Sequence, residues 1–201
     1  MTFNLIKIKI SLILNRIISE FYPHKNTIVI AGLGRCGTTL LFNSIANNHF
    51  YKKHEELILF NNITHYKKGV IYKTHDFPPD DPLPKHVKII FMYGNIYNTI
   101  ISAHRRINEW SKSHHKHLSS KDYIANDDIF YRDSLDLELQ FSRWRDTNYL
   151  KVRYEDLYDR DTLLRISDLL GFNLKLEGKV ERKTDFTTHP FKDKLFKVYG
   201  K

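Results

Sequence analysis

The chain reads as a single α/β domain, a three-layer fold with a central parallel sheet of about four to five strands flanked by helices. Two observations predict this. Short β-branched and aromatic runs recur at residues 27–31, 70–73, 88–93 and 149–153, with helical apolar patterns between them. The first run also ends in a glycine-rich turn followed at once by a helix start, the order in which α/β sheets build anion-binding loops. Strands alternating with helices need both sheet faces covered, which is the parallel arrangement. A length of 201 residues suits one such core, and 41% hydrophobic with 27% charged residues is ordinary for a globular chain.

The elements follow in order. Residues 1–26 form an N-terminal amphipathic helix or edge segment, and residues 27–201 the domain. Leu5 to Ile18 are rich in apolar residues, but Lys7, Lys9, Asn15 and Arg16 interrupt them. A bilayer span needs roughly 20 mostly apolar residues, so this segment predicts no transmembrane helix. No small-residue cleavage site follows, so it predicts no signal peptide. Its two readings are a helix packed on the domain edge and a basic helix lying on a membrane, with peripheral contact through residues 3–21. Helices are predicted over 38–48, over 97–110 with Asn95 as N-cap, over 134–145, and over 162–170 with Gly171 as the stop. Pro78, Pro79, Pro82 and Pro84 mark an irregular segment, and residues 111–120 a polar loop carrying His114, His115 and His117. That histidine cluster lacks a fourth ligand and a rigid frame, so no metal site is predicted.

Charge and cysteine content narrow the function classes. With 32 Lys and Arg against 23 Asp and Glu, the formal charge is +9, and anionic partners follow. Cys36 is the only cysteine, which rules out an internal disulfide and predicts a reducing, cytoplasmic compartment, with membrane-peripheral placement as the variant. Nothing resembles a nucleic-acid recognition motif.

In a parallel sheet, ligands collect beyond the carboxyl ends of the strands. The residues there are Gly32 to Thr39, Thr74-His75-Asp76, Gly94-Asn95 and Tyr154-Glu155-Asp156. The first group is a P-loop-like cradle: glycines let successive amides face one concavity, and the helix that follows adds its positive end. It departs from the nucleotide P-loop at one position. Thr38 stands where a lysine should follow the second glycine, and the cation sits earlier, at Arg35.

Taken together these motifs resemble the sulfotransferases that use 3′-phosphoadenosine 5′-phosphosulfate (PAPS), from about Thr27 to Phe186. Gly34-Arg35-Cys36-Gly37-Thr38-Thr39-Leu40 resembles their 5′-phosphosulfate loop, and Tyr72-Lys73-Thr74-His75 the segment whose His is the catalytic base. The stretch from Asn95 to Ser102 resembles the 3′-phosphate motif, in which the serine binds that phosphate. Arg153-Tyr154-Glu155-Asp156-Leu157 resembles the stretch whose Tyr packs near the adenine, and Thr184-Asp185-Phe186 resembles a late segment bordering the base. The family places an Arg before the Asn of the 3′-phosphate motif, where this chain has Gly94; Arg105 or Arg106, one helical turn past Ser102, or a C-terminal lysine would compensate.

The resemblance implies a transferase with PAPS as co-substrate, no metal, and a small-molecule or glycan hydroxyl as acceptor. Gly34 to Leu40, Ser102, Tyr154, Thr184 and Phe186 would bind the donor. His75 would be the base, Arg35 would stabilise the charge developing on the bridging oxygen, and Lys73 would contact the transferring sulfuryl group. Cys36 takes the family's usual Ser position as a small packing residue. Glu56, beside Glu55, is a rival base, because tyrosylprotein sulfotransferases carry their catalytic Glu at that spacing from the loop cation. A P-loop nucleotide or nucleoside kinase and a noncatalytic polyanion-binding member of the fold are the alternatives.

Overall fold

The computed structural model describes residues 25–60, 63, 65–107, 128–178 and 185–200. Five parallel strands form one sheet: β1 (Thr27–Gly32), β2 (Lys52–Leu57), β3 (Val70–Thr74), β4 (Val87–Tyr93) and β5 (Leu150–Arg153). Their spatial order is β2-β3-β1-β4-β5, with β1 in the middle, parallel to β3 on one side and to β4 on the other. The helices are α1 (Thr38–Asn48), α2 (Ile96–Ile107), α3 (Leu137–Arg145), α4 (Arg160–Leu170) and α5 (Lys192–Tyr199).

Alternation along the strands divides the core into two layers. Ile28 and Ile30 of β1, with Ile71, Ile90, Met92 and Val152, pack against Leu41, Phe42 and Ile45 of α1 and Ile166 and Leu170 of α4. Val29 and Ala31, with Tyr72, Ile89 and Phe91, pack on the other face against Ile100 and Ile101 of α2, Trp144 of α3, and Leu195 and Tyr199 of α5. All six β1 residues are buried, as a central strand covered on both faces requires. The indole of Trp144 lies parallel to the Phe91 ring at 4.8 Å and has no exposure, anchoring α3 to the sheet centre.

The sequence reading locates four strands and four helices, and the structure adds β2 and α5. The residues of β2, Lys-Lys-His-Glu-Glu-Leu, are mostly charged and hide the strand from a hydrophobicity pattern. Charge suits an edge strand because it discourages pairing with another chain. Asn95 does cap α2, accepting from the Asn98 amide at 3.0 Å, and Gly171 ends α4 in the left-handed region at φ 78°. The third helix starts at Leu137 rather than Ser134, because the Asp133 carboxylate accepts from the Leu137 and Glu138 amides at 2.8 and 2.9 Å. Residues 1–24, with the expected membrane-contacting stretch 3–21, and the histidines at 114, 115 and 117 lie outside the described residues, as does the end of the helix predicted to reach 110. Among the described residues no helix is long and apolar enough to cross a membrane.

Candidate functional site

Connections leave β1 toward β2 and leave β4 toward β5, in opposite directions across the sheet. The crevice between the carboxyl ends of β1 and β4 is therefore the topological switch point, where this architecture leaves room for a ligand. The turn Leu33–Gly37 occupies that crevice. Its first amide, Leu33, still pairs with Met92 of β4 at 3.0 Å, and the chain then folds over into α1.

Two glycines make the turn possible. A Cβ on Gly32 would lie 2.4 Å from the Met92 carbonyl oxygen and 2.7 Å from Thr38 Cγ2. Gly37 sits at φ 79°, and a Cβ there would lie 2.3 Å from the ring of Tyr154. Arg35 also adopts a left-handed conformation, φ 68°, which costs a non-glycine residue roughly 1–2 kcal/mol. Helix geometry leaves the first amides of α1, Thr38 to Leu40, without intrahelical acceptors, and no side chain caps that end at Gly37. An oxyanion is the natural partner of such an end.

Side chains from four elements converge on this turn. Arg35 Nε donates to Ser102 Oγ of α2 at 3.2 Å. From the end of β3, Lys73 Nζ donates to Thr39 Oγ1 of α1 at 3.2 Å, and burial lowers the Lys73 pKa below its ordinary value. His75 follows β3 and sets Nδ1 2.7 Å from the Gly32 carbonyl oxygen. A carbonyl only accepts, so Nδ1 carries the proton, and in the neutral form of the ring the lone pair is on Nε2. Tyr154, in the turn after β5, supplies the aromatic wall over Gly37. Cys36 is fully buried with Sγ 3.1 Å from Thr99 Oγ1, tying the turn to α2 as a small packing residue.

The sites drawn from sequence thus fall into three groups. Gly34 to Leu40, Lys73, His75, Ser102 and Tyr154 gather around one crevice. Phe186 lies at its flank: its amide donates to Asn98 Oδ1 of α2 at 2.9 Å and its ring sits 4.9 Å from Tyr97. Thr184 lies outside the described residues, and so do the side chains of Glu55, Glu56 and Arg106. Gly94 is followed by an amide already engaged, since Asn95 N donates to Glu155 Oε1 at 3.2 Å. The other oxygen of that carboxylate accepts from Arg153 Nε at 3.2 Å. Arg105 is exposed on α2, three residues past Ser102 and hence on a neighbouring face.

Sequence reasoning missed the support beneath His75. Gln140 of α3 donates through Nε2 to the His75 carbonyl and, at 3.1 Å, to the Asp76 carbonyl. Trp144 Nε1 donates to the same Asp76 oxygen at 3.0 Å. Asp76 in turn accepts from the Phe60 amide at 3.0 Å and the Phe77 amide at 2.8 Å. The only sequence signal is a pair of polar-capable residues at i and i+4 of a helix, Gln140 and Trp144, and it does not reveal what they hold. Among the described residues no group of three or more His, Cys, Asp and Glu side chains is gathered to hold a metal ion. The chain matches no protein-family model and no curated protein.

Proposed function

We propose that this chain transfers a sulfuryl group from PAPS to a hydroxyl acceptor. The observation that supports it most is the 3.2 Å contact between Arg35 of the glycine turn and Ser102 of α2. It brings to one crevice the two residues that the resemblance assigns to opposite phosphates of the donor. The cradle suits a phosphosulfate in its chemistry: open helix amides, two hydroxyls at Thr38 and Thr39, and cations at Arg35 and Lys73. Ser102, with Arg105 three residues further along α2, would hold a second phosphate in place of the arginine absent at position 94.

Bound there, PAPS supplies a sulfuryl group on a phosphate leaving group. The protein's work is then positioning and electrostatics, as in other loose in-line transfers. His75 takes the acceptor hydroxyl proton on Nε2, while Gly32 holds the opposite nitrogen and so the ring. Arg35 and Lys73 neutralise charge developing on the leaving oxygen, and Arg35 does so with a charge that neutral pH does not remove. Tyr154 covers the turn and excludes water from one side.

Calorimetric titration with adenosine 3′,5′-bisphosphate, compared with magnesium-ATP, tests the reading. Metal-independent binding of the bisphosphate is expected. Binding of magnesium-ATP alone would point to a kinase and remove the proposal. Loss of one charge-assisted contact in Arg35→Ala should weaken bisphosphate binding by roughly 10- to 100-fold. His75→Ala should keep that binding and lose about 100- to 10,000-fold in bisphosphate release from PAPS across a panel of phenolic and sugar hydroxyls. Retained turnover in His75→Ala, with loss in Glu56→Gln, would move the base to Glu56.

A further inference from the structure

The opposite end of the sheet carries a second charged feature. Each of the four adjacent strands β2, β3, β1 and β4 is led in by lysine: Lys52, Lys67 with Lys68, Lys25 and Lys85. Hydrogen bonds join these lead-ins into one rim. Thr27 donates its amide to the His86 carbonyl at 2.9 Å and its hydroxyl to the Lys67 carbonyl at 2.8 Å. The Gly69 amide donates to Asn26 O at 2.9 Å, and the Lys52 amide to Gly69 O at 2.8 Å. All five lysines are exposed, and none forms an ion pair among the described residues. Segments 25–27, 49–52, 65–70 and 84–88 contain no acidic residue. At the fifth strand the lead-in holds Asp146 paired with Arg145 at 3.4 Å and adds no net charge. Neighbouring strands are about 4.8 Å apart, so the lysines span about 15 Å along one edge.

We propose that this rim docks the protein on an anionic phospholipid surface. Its charges are ammonium groups without arginine forks among them, a composition suited to a diffuse field of headgroups. Nucleic-acid surfaces commonly add arginine for bidentate phosphate contact, and segments 25–27, 49–52, 65–70 and 84–88 contain none. With the rim on lipid, the length of β4, seven residues, puts the crevice about 20 Å away and facing the aqueous phase. The inference stands independently of the sulfuryl-transfer reading, because it uses none of the crevice residues.

Co-sedimentation of the full chain with phosphatidylcholine vesicles, with and without phosphatidylserine, tests it. Binding only to the anionic vesicles, falling as salt rises, is expected. Each lysine near such a surface contributes about fivefold, so Lys67→Gln/Lys68→Gln/Lys85→Gln should weaken binding roughly 100-fold with an unchanged melting temperature. The pair Lys52→Gln/Lys68→Gln, expected at roughly 25-fold, serves if the triple variant melts lower. Failure of the wild-type chain to bind, equal binding to neutral vesicles, or undiminished binding of the lysine variants would overturn the proposal. So would lysine-dependent binding to heparin or duplex DNA without vesicle binding, which would assign the rim to a soluble polyanion.

Discussion

Gly37 does two jobs that alanine cannot do together. It holds φ at 79° and leaves room for the Tyr154 ring, which a Cβ would approach to 2.3 Å. Gly37→Ala should therefore cost roughly 2 kcal/mol or more, about 4 °C or more of melting temperature at this chain length. Adding Tyr154→Ala should recover the clash but not the backbone strain, so a double-mutant cycle by thermal denaturation should be non-additive. Lys73 sets a pH limit at the same scale. Burial lowers its folded pKa below 10.5 while the unfolded value stays ordinary. Between those two values the unfolded chain binds the extra proton, so this residue's contribution to stability rises with pH across that window. The folded site meanwhile loses its ammonium charge earlier than an exposed lysine would. Bisphosphate affinity should therefore fall on the alkaline side below pH 10.5, and Lys73→Arg should push that limb upward in calorimetric titrations.

Among the elements, α3 was visible as a helix but not as a brace. Its Gln140 and Trp144 hold the carbonyls that follow β3, and so fix where His75 leaves the sheet. Gln140→Leu removes a donor from two carbonyls and should cost about 1–3 kcal/mol. Under the proposed chemistry it should lower turnover more than bisphosphate affinity, a split that steady-state kinetics with calorimetry would show. By contrast, the caps of α2 and α4 were legible, because Asn95 and Gly171 act through their own local geometry. The edge strand β2 was not. Its charged residues carry no period-2 apolar signal, and only pairing with β3 makes them a strand.

At the scale of the whole molecule, the strand order puts the glycine turn of β1 at the switch point beside β4. If the crevice binds adenosine 3′,5′-bisphosphate, a concentration 100 times Kd should stabilise the chain by about 2.7 kcal/mol. For a chain of this length that is an upward melting shift of about 5–10 °C, measurable by differential scanning fluorimetry. The amino-acid sequence by itself determined the α/β class, the glycine turn and helix start after the first strand, and the residues past each strand end. Those features are local: they follow from apolar periodicity, from glycine's access to left-handed backbone, and from the unpaired amides of a helix start. Tertiary structure alone decided that Arg35 meets Ser102, that Gly32 orients His75, that α3 braces the strand end, and that five lysines share one rim. Each of these joins residues distant in the chain, and strand order brings them together without leaving a mark on any single segment.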